Sequence, residues 1–297
     1  MTGPAPGATE AAGTLGASRY ATVNGVRLHY VEAGRGPLVV LLHGFPQFWY
    51  AWRHQLPALA AAGFRAVAVD LRGYNLSDKP AGLDAYTAAE AAADVAALVE
   101  ALGAEPAALV GHDWGGVVAW QAAAAYPERV SRVAVINAPH PRRFARALRS
   151  PRQLLRSLYV LFFQLPVLPE RLVAARDFAL VERVLRFDAR RGSFTRDDVA
   201  RHKEALRRPG ALTAALGYYR AALRRRAARR LPAGVRQPAL LIWGDRDRYL
   251  GRELAAGNER WVPRLRVEHV PEATHWVMAD APERVNELLV AFLREPA

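Results

Sequence analysis

An α/β fold is predicted for this 297-residue chain, a mostly parallel sheet interrupted by an all-helical segment. Three observations carry the prediction. Strand and helix patterns alternate from residue 37 to 136. From about 140 to 234 the patterning is helical, with no convincing strand. The alternation then resumes at 238. Strand–helix alternation of this kind builds doubly wound parallel sheets. Taken in order, 22–28 reads as a hairpin, because Asn24-Gly25 supplies the two positive φ values of a type I′ turn. The apolar run 37–42 suits a strand buried on both faces and ends at His43-Gly44. A helix is expected over 48–62, a strand over 65–70 and a loop over 72–78. Thr87 and Glu90 stand at capping-box spacing at the start of a helix over 87–102. Strands are expected over 106–110 and 130–136, with a helix over 114–126 between them. After the helical insertion come strands over 238–244 and 266–270 and a closing helix over 283–294.

Composition narrows the function classes. With 52% hydrophobic and 23% charged residues, the chain can bury a large core and is not mainly disordered. The absence of cysteine excludes disulfides, thiolate metal sites and a cysteine nucleophile. Residues 1–18, rich in Ala, Gly, Thr and Pro, read as a disordered tail without the basic and apolar regions of a signal peptide. No run of about 18 apolar residues exists, so no membrane span is expected, and the expected location is cytoplasmic. Net charge is +13, but its distribution is lopsided. Residues 141–236 hold 23 Arg and one Lys against seven acidic residues, a net +17; the remainder carries −4. Such a segment suits nucleic acid or a membrane surface. Only Lys79 and Lys203 are lysines, which fits Arg-for-Lys replacement on solvated helices better, and no nucleic-acid partner is expected.

The chemistry concentrates in Val110-Gly111-His112-Asp113-Trp114-Gly115-Gly116. A strand ends, a residue stands between glycines two positions either side, and a helix begins: the pattern of a nucleophile elbow. Asp113 occupies the position where serine is familiar. A carboxylate is ionised at neutral pH and attacks alkyl carbon, leaving an ester of its own side chain that a second step must hydrolyse. An N-cap role would account for Asp113 alone, but not for Gly111, Gly115 and Gly116 together. For the hydrolysis, His275 is the candidate base and Asp247 its orienter, with Asp245 as rival; the order nucleophile, acid, histidine supports the set. The backbone N–H groups of Phe45 and Trp114 are the candidate oxyanion-hole donors. Pro46 is a candidate for a cis peptide, and His43 reads as structural.

These stretches resemble the α/β-hydrolase superfamily, specifically its soluble epoxide hydrolase branch. The resemblance runs through His43-Gly44-Phe45-Pro46-Gln47-Phe48-Trp49-Tyr50-Ala51-Trp52-Arg53, Asp70-Leu71-Arg72-Gly73-Tyr74, Ser77-Asp78-Lys79-Pro80, the elbow, residues 137–141 and Thr274-His275. It covers roughly 19–296 and is most specific before 141. It implies an eight-stranded sheet formed by 19–139 and 235–297, with 140–234 as a helical cap. It further implies two cap tyrosines that hydrogen-bond the epoxide oxygen. Tyr159, in Leu158-Tyr159-Val160-Leu161-Phe162-Phe163-Gln164, and Tyr219, in Gly217-Tyr218-Tyr219-Arg220, are the candidates. Gly217 and Tyr218 depart from the branch's Asn-Trp at these positions, so Tyr218 competes with Tyr219. Asn75 stands where the branch more often has Gly, for which a loop effect alone is expected.

The expected activity is conversion of a small apolar epoxide and water to a vicinal diol, without cofactor or metal, by a monomer or homodimer. Phe45, Trp114, Phe162 and Trp276 are the expected cavity walls. The alternative is haloalkane dehalogenation by the same Asp nucleophile. It calls for a second halide donor, commonly Asn after His-Gly or a cap Trp; position 45 is Phe, and 141–236 contains no Trp. Fluoroacetate dehalogenases, similar near 168–172, clamp their substrate with arginines where this chain has Trp114 and Val117. Serine-esterase chemistry lacks its serine, and a purely binding scaffold would have no reason to keep every catalytic member.

Overall fold

Eight strands, numbered along the chain as Ala17–Val23 (β1), Val26–Ala33 (β2), Leu38–Leu42 (β3), Arg65–Val69 (β4), Ala107–His112 (β5), Val130–Ile136 (β6), Ala239–Gly244 (β7) and Leu265–Val270 (β8), form one sheet in the order β1-β2-β4-β3-β5-β6-β7-β8. The computed structural model describes residues 15–103, 106–224 and 234–296. Strands β1 and β2 pair antiparallel through a turn in which Asn24 and Gly25 have φ +50° and +72°. Strand β2 also runs antiparallel to β4. The remainder is parallel: β3, β5, β6, β7 and β8. Residues 1–14 of the expected tail lie outside the described residues, and Ala17 and Ser18, placed in that tail, belong to β1.

The apolar runs are apolar because both sheet faces are covered. Every residue of β3, β5 and β7 is buried. Strand alternation sends Val40, Leu42, Val69 and Leu109 into the core under helices α2 (Ala88–Ala101) and α3 (Trp114–Ala125). It sends Val39, Leu41, Ala68 and Val110 into the opposite core with Trp49, Trp52, α1 (Gln55–Ala61) and the C-terminal helix. Each fully buried leucine contributes roughly 1.5–3 kcal/mol. The helix expected over 48–62 is broken: a 3₁₀ turn, Trp49–Trp52, precedes α1. Pro57 lacks the N–H that a continuous helix would bond back to Arg53, and starting at Gln55 puts it in the first turn. Thr87 caps α2 by accepting the Glu90 N–H at 3.2 Å.

Between β6 and β7 the described residues hold only helices: α4 (Pro141–Ala147), α5 (Pro151–Arg156), α6 (Leu158–Phe162), α7 (Leu168–Phe187), α8 (Arg196–Arg207) and α9 (Ala211–Arg224). Of the Arg-rich stretch 224–230, only Arg224 is described. The α7 helix leaves helical geometry at residues 175–178. These helices share a third core, with Phe163, Val173, Val181, Leu216 and Tyr219 meeting Trp276. After β8 come α10 (Val277–Asp280) and α11 (Pro282–Arg294). Among the described residues, no helix is long and apolar enough to cross a membrane.

Asn75 does more than its loop requires. Its φ is +41°, which accounts for Asn or Gly there. Its amide donates to Asp70 at 2.8 Å, and its oxygen accepts from Arg208 Nε at 2.7 Å. The expectation of a purely local effect is therefore corrected, because this side chain ties the β4 loop to the end of α8.

Candidate active site

Sheet order places the site. The chain reverses direction across the sheet between β3 and β5, which are neighbours with Leu42 opposite Gly111. In open α/β sheets the crevice at such a switch point, beyond the strands' C-terminal ends, is where ligands bind. Gly44-Phe45 leaves β3 there and Asp113 leaves β5. The Phe45–Pro46 peptide is cis.

The turn at Asp113 has φ +50° and ψ −120°, outside the ordinary regions for a residue with a side chain. The glycines make it possible. A Cβ on Gly111 would lie 2.3 Å from the Gly115 carbonyl oxygen, and one on Gly115 would lie 2.0 Å from that of Leu42. A Cβ on Gly44 would meet the Asp113 carboxylate itself at 2.3 Å. Because the obstacle at Gly115 is strand backbone, it cannot move aside. Gly115→Ala is expected to cost about 3 kcal/mol or more, a Tm lower by roughly 6 °C or more. A thermal melt within a degree of wild type would show that the elbow relaxes freely.

Asp113 opens on a cavity of about 430 Å³. Its Oδ2 accepts the Phe45 N–H at 2.9 Å, and the Trp114 amide also bonds to the carboxylate. Burial pushes its pKa up; the charge of His275 and these two amides pull it back. His275 also lines the cavity, and its Nδ1 meets Asp247 Oδ2 at 2.7 Å. Burial pulls the imidazole pKa down, but the charge and hydrogen bond of Asp247, with the charge of Asp113, outweigh it and leave the pKa raised. Asp247 is held in turn by the backbone N–H groups of Tyr249 and Leu250, at 2.7 and 2.9 Å, and by Asn137 Nδ2 at 2.6 Å. Asp245 points elsewhere, to His269 at 2.5 Å and Arg252 at 3.2 Å, so it does not compete for His275. His43 accepts the Leu71 N–H at 3.2 Å and packs edge-on against Tyr74, as a structural histidine does.

Above Asp113 the cavity is roofed by Tyr159 and Tyr219, with Phe162 and Trp276 in the walls. The two rings stand edge to face with centroids 6.0 Å apart, close enough for each phenol to act on the other. Burial, then the charge of Asp113, pushes both phenol pKa values far up, so both stay protonated at any ordinary pH. Tyr218 is turned away, fully buried, with its hydroxyl donating to the Arg72 carbonyl at 3.0 Å. Gly217 lies against Tyr86, where a Cβ would come within 3.0 Å of the ring. Trp114 is not among the residues lining the cavity, contrary to expectation. Its ring stands edge-on to Tyr219 with centroids 5.1 Å apart. Phe45 does line the cavity.

Sequence reasoning missed three contributors. Asn137 falls in a stretch that matches the family without pointing to a role, yet at φ +44° it binds Asp247 and accepts the Gly244 N–H at 2.7 Å. Tyr249 lines the cavity and donates its hydroxyl to Asp188 at 2.6 Å. The third is the wall formed by Val173, Leu180, Val181 and Val184 of α7. An i, i+4 spacing marks the last part of that wall, but the same spacing describes any core-facing helix.

The chain has close relatives. Residues 37–282 match the family described as alpha/beta hydrolase fold. The AB hydrolase superfamily protein YfhM of Bacillus subtilis is 42% identical over 279 residues, covering 93% of this chain and 97% of that one. Epoxide hydrolase 4 of Mus musculus is 39% identical over 296 residues, covering 95% and 81%. The crystal structure of Bacillus megaterium epoxide hydrolase with an inhibitor superposes with a TM-score of 0.84 at 34% identity, covering 93% of this chain and all of that one. Sequence, sheet order and neighbours agree, and the chain belongs to the α/β-hydrolase family, in its epoxide hydrolase branch.

Proposed function

We propose that this protein is an epoxide hydrolase working through an ester on Asp113. The observation that carries the proposal is one apolar cavity in which a carboxylate, an Asp-oriented histidine and two protonated phenols converge. One oxygen of Asp113 attacks an epoxide carbon. The carbon–oxygen bond breaks, and its electron pair goes to the oxygen, which takes a proton from Tyr159 or Tyr219. His275 then removes a proton from water as that water adds to the Asp113 ester carbonyl. The oxyanion so formed lies on the Phe45 and Trp114 amides, where losing one donor typically costs roughly 10²- to 10³-fold in rate. Collapse expels the diol. Of the water's two protons, one goes to the departing alkoxide and the other restores the phenol.

Dehalogenation by the same Asp fits less well. A halide calls for the indole beside the nucleophile and a second donor, but Trp114 does not line the cavity, position 45 is Phe and 141–236 contains no Trp. A single turnover with styrene oxide in ¹⁸O-labelled water tests the reading. Diol formation with label in the Asp113 peptide is expected. Diol formed without that label would refute the ester, and halide release from haloalkanes without diol from epoxides would establish the alternative.

The charges also set a pH order. Hydrolysis requires neutral His275, so its rate falls as pH drops through the imidazole pKa. In the free enzyme that pKa is raised partly by the Asp113 charge. Forming the ester removes that charge, so the pKa drops when a base is needed. The acid limb of ester decay is therefore expected at lower pH than the NMR titration of His275 in the free enzyme. Coincident midpoints would show that Asp113 does not act on His275.

A further inference from the structure

Among the described residues, every broadly exposed large apolar side chain except Tyr20 lies between Leu154 and Leu223, on the helices over the cavity. Leu155 is 66% exposed and Phe187 69%, values out of keeping with ordinary scattered surface leucines when so many share one segment. They follow a pattern. Leu154, Leu158, Leu161 and Leu165 recur at spacings of four, three and four through α5, α6 and the following turn, and Leu168 and Leu172 extend the series into α7. Leu180 and Phe187 stand two turns apart on the far half of α7. This surface reaches the cavity, whose lining includes Leu155, Arg156 and Leu180.

The charge of the same segment is one-sided. Residues 141–236 carry a net +17, and each of their seven carboxylates already lies within 4 Å of a basic side chain. Arg149, Arg152, Arg171 and Arg183 are exposed among the leucines. Arg171 falls between Leu168 and Leu172, and Arg183 between Leu180 and Phe187.

We propose that this face docks on the surface of an anionic lipid bilayer. Leucines interleaved with arginines suit that partner, because the apolar side chains enter the acyl boundary while guanidinium groups remain at headgroup phosphates. A second copy of the same face would cover the leucines but bring the exposed arginines among them, Arg171 and Arg183 included, against their own copies. Nucleic acid would satisfy the arginines and leave the leucines in water. The docking does not depend on the reaction proposed above; together with that reaction, it turns the cavity mouth toward the phase in which an apolar epoxide dissolves.

The experiment is co-sedimentation of the full chain with vesicles of phosphatidylcholine alone or mixed with phosphatidylglycerol, at low and high salt. Binding to the mixed vesicles at low salt is expected, with little binding to phosphatidylcholine alone. Leu161→Gln/Leu165→Gln/Leu172→Gln, at three positions that do not line the cavity, should weaken binding about tenfold or more while leaving the thermal melt unchanged. Arg171→Glu/Arg183→Glu should weaken it by at least about fivefold per residue. No wild-type binding to mixed vesicles at low salt would overturn the proposal. So would equal binding by the leucine variant, or a wild-type dimer that this variant converts to monomer.

Discussion

His275→Gln should stop turnover after one alkylation, with about one equivalent of substrate bound to Asp113 and steady-state diol formation down about 10⁴-fold or more. The two half-reactions draw on different groups. Asp113 is held by the Phe45 and Trp114 amides, and neither contact involves His275. Attack on the epoxide survives, although the His275 charge that favours ionised Asp113 is lost. Hydrolysis has no base and stalls. Intact mass spectrometry reads a shift equal to the substrate mass, and peptide mapping places it on Asp113. An unmodified variant under conditions where wild type turns over would remove His275 from the second step. Asp245→Asn is the matched control, since Asp245 engages His269 and Arg252 and should leave turnover near wild type.

Tyr159→Phe/Tyr219→Phe should slow ester formation by about 10²- to 10⁴-fold, the range general acid assistance supplies. Each single change should cost less, because the remaining phenol still reaches the oxygen. The two rings are in contact and serve the same oxygen, so the singles should not combine multiplicatively. The readout is the rate of the alkylation phase in a His275→Gln background, which excludes effects on hydrolysis. Tyr218→Phe loses only a bond to the Arg72 carbonyl, so its effect should appear in stability, at about 1 kcal/mol, and not in chemistry. Unchanged alkylation in the double variant would assign proton donation elsewhere.

The features readable from sequence were those set by local geometry. The elbow was legible because steric exclusion at Gly111 and Gly115 leaves a fixed spacing. The central strands were legible because burial on two faces demands unbroken apolar runs. The sequence favours Asp247 but leaves Asp245 as a rival, since both follow β7 and what fixes Asp247 is Asn137, 110 positions earlier and just beyond β6. Tyr218 and Tyr219 posed the same difficulty. Helix α9 is buried on most of its circumference, so its apolar pattern does not fix which tyrosine faces the cavity. Trp114 was misplaced because its role comes from a tertiary partner, Tyr219.

The grip of the Phe45 amide on Asp113 Oδ2 makes the carboxylate's two oxygens unequal. In the proposed ester mechanism the oxygen held by Phe45 becomes the ester carbonyl, and its partner attacks the epoxide and departs with the diol. Water refills only the vacated position. As long as the side chain does not rotate, one oxygen of Asp113 is as old as the protein, while its neighbour is never older than the last catalytic cycle.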